Sequence, residues 1–185
     1  MGQRILSGIA TLSLVVAVSA QAQGAWEPEL GIRAGWTNVK IDGAPDAINF
    51  IDFPGGVQLL SSVAAGRAPL FAVIPVSDKF AVSPEFGFNE LSASGSATLW
   101  QAGVTADYAI TSKFYAGAGA SLFFLRSSSF EQAQGGYQAK AGYRIHLARL
   151  LRLRLEAFFN GRPKTNHLPQ SNAFGVSLGV STVLK

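Results

Sequence analysis

The feature that most constrains this chain is an alternation with a period of two residues, repeated from one end to the other. Between Glu29 and Lys40, Leu30, Ile32, Ala34 and Trp36 fall on one face, and Glu29, Gly31, Arg33, Gly35 and Thr37 on the other. The same division runs through Phe80 to Glu90, Ala97 to Ala109, Phe114 to Leu125, Tyr137 to His146, Leu151 to Asn160 and Phe174 to Leu184. Side chains alternate sides in a β-strand, so this pattern predicts strands and not amphipathic helices. An eighth strand is predicted near Arg67 to Ile74, apolar on both faces and therefore of undetermined orientation. Beyond the N-terminal segment no apolar run reaches the ~18 residues that a membrane helix requires.

The two faces are chemically unequal. One is aliphatic and aromatic, with almost no charge. The other carries Gly, Ser, Thr and the ionic groups. A soluble barrel would cover its polar face with solvated Lys and Glu, whereas here that face is full of glycine and serine. Small residues suit a narrow interior in which long neighbours need room, and the large apolar face suits lipid. Composition agrees: hydrophobic residues make up 48% and charged residues only 14% of the chain, against about 25% charged in an average soluble domain. The expected fold is an all-β, eight-stranded antiparallel up-and-down transmembrane β-barrel. Ten strands remain open if both apolar pieces of residues 48–66 enter the membrane.

The links between strands alternate in length. Val76–Lys79, Ile110–Lys113 and Leu147–Leu150 are short; Asp42–Gly66, Leu91–Ser96, Arg126–Gly135 and Gly161–Asn172 are longer. Barrels of outer membranes have short periplasmic turns and longer external loops, so both termini are expected on the periplasmic side. Ahead of the barrel, Arg4 precedes a 16-residue apolar segment, Ile5 to Ala20, and Ala20-Gln21-Ala22 is a small-x-small site. That order predicts a signal peptide over 1–22, cleaved after Ala22, and a barrel domain over 23–185. The chain has no cysteine, and a closed barrel in lipid stabilises an exported chain by pairing every backbone group around the ring.

By parity, Glu29, Arg33, Glu85, Asp107, Lys140, Arg144, Arg152, Arg154 and Glu156 face inward. Isolated charges in a narrow, partly dry interior cost several kcal/mol, so these groups are expected to pair across the lumen. They form either a structural ionic plug or a narrow ion or water path gated by the same pairs. Eight strands leave room for little beyond side chains, which favours the plug. His146 has inward parity near a short turn, and His167 lies in the last long link. Neither has a nucleophile at a spacing that forces contact, so no catalytic residue is assigned. Two histidines without cysteine give no metal set. The glycines alternate within strands, as at Gly117 and Gly119, and build no phosphate loop; no cofactor is expected. A modest basic excess without clustered aromatics gives no nucleic-acid surface.

Taken together, the leader, the eight alternating segments and the segment Leu70 to Phe80 followed by Ala81-Val-Ser-Pro-Glu-Phe-Gly-Phe88 resemble the small outer-membrane β-barrels of the OmpA and OmpX type. The resemblance spans residues 23–185 and is architectural. It implies residence in a Gram-negative-type outer membrane, contact with lipid and lipopolysaccharide, handling by the outer-membrane insertion machinery, a monomeric state and a structural or loop-mediated interaction role. Narrow channels, lipid A-modifying enzymes and, outside the family, soluble lipocalin-like carriers are the alternatives. The chain departs from the family in ending Val183-Leu184-Lys185 instead of on an aromatic residue. The link 42–66 is the least ordinary segment, with Ile48 to Phe53 and Val57 to Leu60 flanking Pro54-Gly55-Gly56. It reads as a hairpin extending outward, as a loop folded on the rim, or as an exposed apolar edge for an extracellular partner or a lipid.

Overall fold

A computed structural model of the protein describes residues 25–52, 67–91, 97–126, 131–165 and 168–185. The predicted leader over 1–22 therefore lies outside the described residues. The elements are all strands: β1 (Glu29–Ile41), β2 (Ile48–Asp52), β3 (Leu70–Pro75), β4 (Phe80–Leu91), β5 (Ala97–Ala109), β6 (Phe114–Arg126), β7 (Glu131–His146), β8 (Leu151–Arg162) and β9 (Ser171–Val183). Every neighbouring pair is antiparallel, and β1 pairs with β9 from Glu29↔Val183 to Ile41↔Ser171, which closes the ring.

Nine segments occupy eight positions. With one edge of β1 taken by β9 along its whole length, the other edge is shared. β2 pairs with the upper half of β1, from Gly35↔Asp52 to Val39↔Ile48, and β3 with the lower half, from Glu29↔Val73 to Ile32↔Leu70. The barrel is thus an eight-stranded antiparallel one, in which residues 48–52 return along β1. Val57 to Leu60, the other apolar piece of the 42–66 link, lies outside the described residues.

The polarity of the wall follows the alternation. Leu155 and Val104 are 53% and 45% exposed, whereas their neighbours Glu156 and Thr105 are 5% and 1% exposed. The outward face carries Leu30, Ile32, Trp36, Leu178 and Val180, and the aromatic pairs Trp36–Phe174, Phe88–Trp100, Phe80–Tyr108 and Phe114–Tyr143. A large apolar exterior over a backbone paired into a closed ring is what hydrocarbon requires of a β-structure. The ambiguous eighth strand is settled by its packing: Phe71 and Val73 turn inward and Leu70 outward.

Glycine makes the interior possible where a bulky neighbour leans across it. At Gly142 an added Cβ would lie 2.5 Å from the Tyr115 hydroxyl, and at Gly103 it would lie 2.9 Å from Glu85 Oε1. These are the positions at which the small inner-face residues admit long ones.

Some boundaries differ from the sequence reading. β7 begins at Glu131, so the predicted long link 126–135 shrinks to residues 127–130, no longer than the turns at 76–79, 110–113 and 147–150. Likewise β9 begins at Ser171. Hydropathy marks where the apolar band stops, but the hydrogen-bond ladder continues past it into water. Gly135 and Gly136 stay within that ladder, opposite Leu122 and Ser121. His146 shares the inward parity of Arg152, which it faces, but is exposed because it sits on the last rung of β7 and β8 at the barrel mouth.

Candidate functional site

Built upward from the strands, the lumen contains two linked layers of charge above a floor. The central hub is Glu156 on β8. Its Oε2 accepts from Arg33 Nη1 of β1 at 3.0 Å and from Arg67 Nη1 at 2.5 Å. Its Oε1 accepts from the Tyr115 hydroxyl of β6 at 2.5 Å and lies 3.8 Å from Lys140 Nζ of β7. Both arginines reach a second acid: Arg67 Nη2 and Arg33 Nη2 lie 2.6 and 3.2 Å from Glu85 Oε2 of β4. Lys140 Nζ also meets Asp107 Oδ2 of β5 at 2.8 Å, and Ser83 Oγ donates to that oxygen at 2.5 Å.

Closer to the termini, Glu29 Oε2 on β1 accepts from Arg154 Nε and Nη2 of β8 at 3.0 and 2.7 Å and from Ser181 Oγ of β9 at 2.6 Å. The floor is made by the segment ahead of β1. Trp26 is wholly buried, stacks edge-on against Tyr115 with centroids 5.3 Å apart, and donates its indole N–H to the Lys79 carbonyl at 3.0 Å. The Arg144 guanidinium lies 4.2 Å from the Trp26 ring centroid and donates to the Ser112 carbonyl at 3.0 Å. Arg152 pairs with Glu27 and donates to the Ala148 carbonyl at 2.8 Å.

All nine inward residues named from the sequence are buried. Arg33, Glu85, Asp107, Lys140 and Glu156 come together in the hub, and Glu29 and Arg154 pair beside it. Arg144 and Arg152 instead serve the floor, through Trp26 and Glu27. The sequence reading missed Arg67, Tyr115, Ser83, Ser181, Trp26 and Glu27. One signal pointed to Arg67: it is the only charge between Asp52 and Asp78. A lone cation in an apolar stretch needs a partner. Tyr115 had inward parity, but parity alone does not reveal which acid its hydroxyl meets.

This arrangement holds charge without exposing it. Each hub acid takes at least two donors, which is the condition for buried carboxylates to remain ionised without a large net penalty. The cavity beside Arg67, lined by Arg33, Gly35, Phe158 and Ser177, measures about 10 Å³, roughly the volume needed for one water.

No family model and no curated protein matches the sequence. Solved structures do. Neisserial surface protein A (NspA) aligns with a TM-score of 0.54 at 17% identity, covering 85% of this chain and 97% of that one. Ail of Yersinia pestis, solved with the heparin analogue sucrose octasulfate, aligns at 0.47 and 15% identity over 86% of this chain and 100% of its own. OprG of Pseudomonas aeruginosa aligns at 0.47 and 12% over 89% and 99%. The fold shared with NspA is that of the small outer-membrane β-barrels of the OmpA and OmpX type.

Proposed function

We propose that the protein is an integral outer-membrane β-barrel of a Gram-negative-type cell, exported by a signal peptide over 1–22, whose role is structural or interactive and not enzymatic. In this reading Glu29, Arg33, Glu85, Asp107, Lys140, Arg144, Arg152, Arg154 and Glu156 form an ionic plug that fixes the barrel's shape and blocks the lumen. Contacts with other molecules then fall to the exterior, as a monomer in lipid and lipopolysaccharide, and to the links at the end opposite the termini, the 42–66 link above all. Assembly of the barrel would fall to the outer-membrane insertion machinery.

One observation carries the reading. The hub joins β1, β4, β5, β6, β7 and β8 across the lumen, while the cavity beside it holds about one water. An ion crossing the barrel would have to break several charge-assisted bonds at once, each roughly twice as strong as a neutral one. The expected result in planar lipid bilayers is repeated insertion, scored by boiling-dependent gel migration of the recovered protein, without current steps. Discrete steps that persist across insertions would replace the plug with a narrow channel.

A further inference from the structure

The three tight turns at the terminus-bearing end are built alike. Val76-Ser77-Asp78-Lys79, Ile110-Thr111-Ser112-Lys113 and Leu147-Ala148-Arg149-Leu150 each span four residues. In each, the first two N–H groups donate to the carbonyl of the residue that follows the turn: Phe80, Phe114 or Leu151. In the first two turns a hydroxyl, Ser77 Oγ or Thr111 Oγ1, accepts from that residue's N–H at 3.2 or 2.9 Å. The common frame puts the same chemistry at one level around the rim. Val76, Ile110 and Leu147 are exposed apolar residues, and Lys79, Lys113 and Arg149 are exposed cations. Asp78 is the only acid on the three turns.

Immediately above Lys79 and Lys113 lie the outward aromatic pairs Phe80–Tyr108 and Phe114–Tyr143, with centroids 5.0 and 4.6 Å apart, and Arg149 is followed by the exposed Leu150 and Leu151. Aromatic pairs of this kind mark the level where hydrocarbon gives way to headgroups. The cations therefore sit at headgroup phosphate depth, next to apolar residues that anchor each turn in the interface. The opposite end carries no such excess. There Lys40, Arg126 and Lys164 are balanced by Asp42, Asp46 and Glu131 among the described residues, and Arg126 lies 3.9 Å from Glu131.

We infer that the terminus-bearing rim is a collar that binds the anionic headgroups of phospholipids, through Lys79, Lys113 and Arg149. The inference rests on the outer-membrane reading, which makes this rim the periplasmic one and its lipids those of the inner leaflet. The attraction is electrostatic and falls with salt.

The test refolds the full chain into phosphatidylcholine vesicles carrying either spin-labelled phosphatidylglycerol or spin-labelled phosphatidylcholine, and reads the motionally restricted fraction of each label. Boiling-dependent gel migration scores insertion. The wild type should enrich the anionic label by roughly two- to five-fold at low salt. Salt at high concentration should abolish the preference, as should joint Lys79→Gln, Lys113→Gln and Arg149→Gln substitution in a barrel that still inserts. Joint Lys40→Gln, Arg126→Gln and Lys164→Gln substitution at the other end should leave it unchanged. An inserted barrel with no preference overturns the collar alone, as does a preference that survives the turn substitutions. So does equal competition by soluble glycerol phosphate, or cation-dependent sedimentation with peptidoglycan sacculi in place of lipid selectivity. A chain that never inserts overturns both the collar and the membrane reading beneath it.

Discussion

The arc from β4 to β9 and the sector of β1, β2 and β3 close the same ring by different means. Within the arc, neighbouring strands share ten to thirteen paired residues, and each hairpin repeats the last. In the sector, β3 pairs with only four residues of β1 and four of β4, and β2 takes five more on β1. The β3–β4 ladder lapses at Ala72 and Val73, opposite Pro84 and Ser83 in turn. A proline has no N–H to contribute to a ladder. The ion hub ties this sector to the arc: Arg33 comes from β1 and Arg67 from the residues ahead of β3, and both reach Glu85 on β4 and Glu156 on β8. Where the backbone ladder is thin, side-chain charge spans the gap.

The contrast can be broken at its joint. Glu156 is the acid that ties Arg33 and Arg67 to the arc through β8, so Glu156→Ala leaves buried cations short of a partner. It should cost about 3–5 kcal/mol, read as a lowered midpoint in urea titration of the folded protein in vesicles. A loss below 1 kcal/mol would mean that the hub does not support the sector. Within the arc the sensitive surface is the outside. Leu155→Arg places a charge toward hydrocarbon and should cost about 2–4 kcal/mol if the residue lies near the midplane, measured by the same titration. Equal tolerance of Arg at Leu155 and at a turn residue would undo the inside-out assignment of the wall. The smallest of the three effects sharpens the comparison most. In Arg67→Ala, Glu85 and Glu156 keep Arg33, so the loss should be about 1.5–3 kcal/mol, the range for hydrogen bonds to charged groups. Amide exchange should then accelerate in β3 and the lower half of β1, while β6 to β8 keep their protection. Uniform acceleration around the ring would show that both regions depend on the hub alike.

Much of the arc was legible beforehand. β5 runs from Ala97 to Ala109 as its alternation requires, and the tight turns fall at 76–79, 110–113 and 147–150. Parity alone put Glu85, Asp107, Lys140 and Glu156 on the inner face, because a strand in this wall has only two sides. Its failures have a common origin. Glu131 to Gly135 read as part of a loop because they lack the apolar alternation, yet cross-strand pairing to Leu122–Arg126 holds them in β7. Arg67 stood in a stretch with two apolar faces, where parity gives no direction.

What the sequence determined by itself is local and binary: which residues are strand, which of two faces each occupies, and where the chain reverses. These follow from the two-residue period and the turn chemistry, and need no knowledge of distant parts. What only the tertiary structure decided is partnership across the lumen. Arg33 meets Glu156 from 123 residues away, and Tyr115 meets it from 41. Such contacts depend on ring closure and stagger, which bring opposite walls within hydrogen-bond reach. The split of the second barrel position between β2 and β3 belongs to the same class, since it exists only because β1 offers one free edge to two segments.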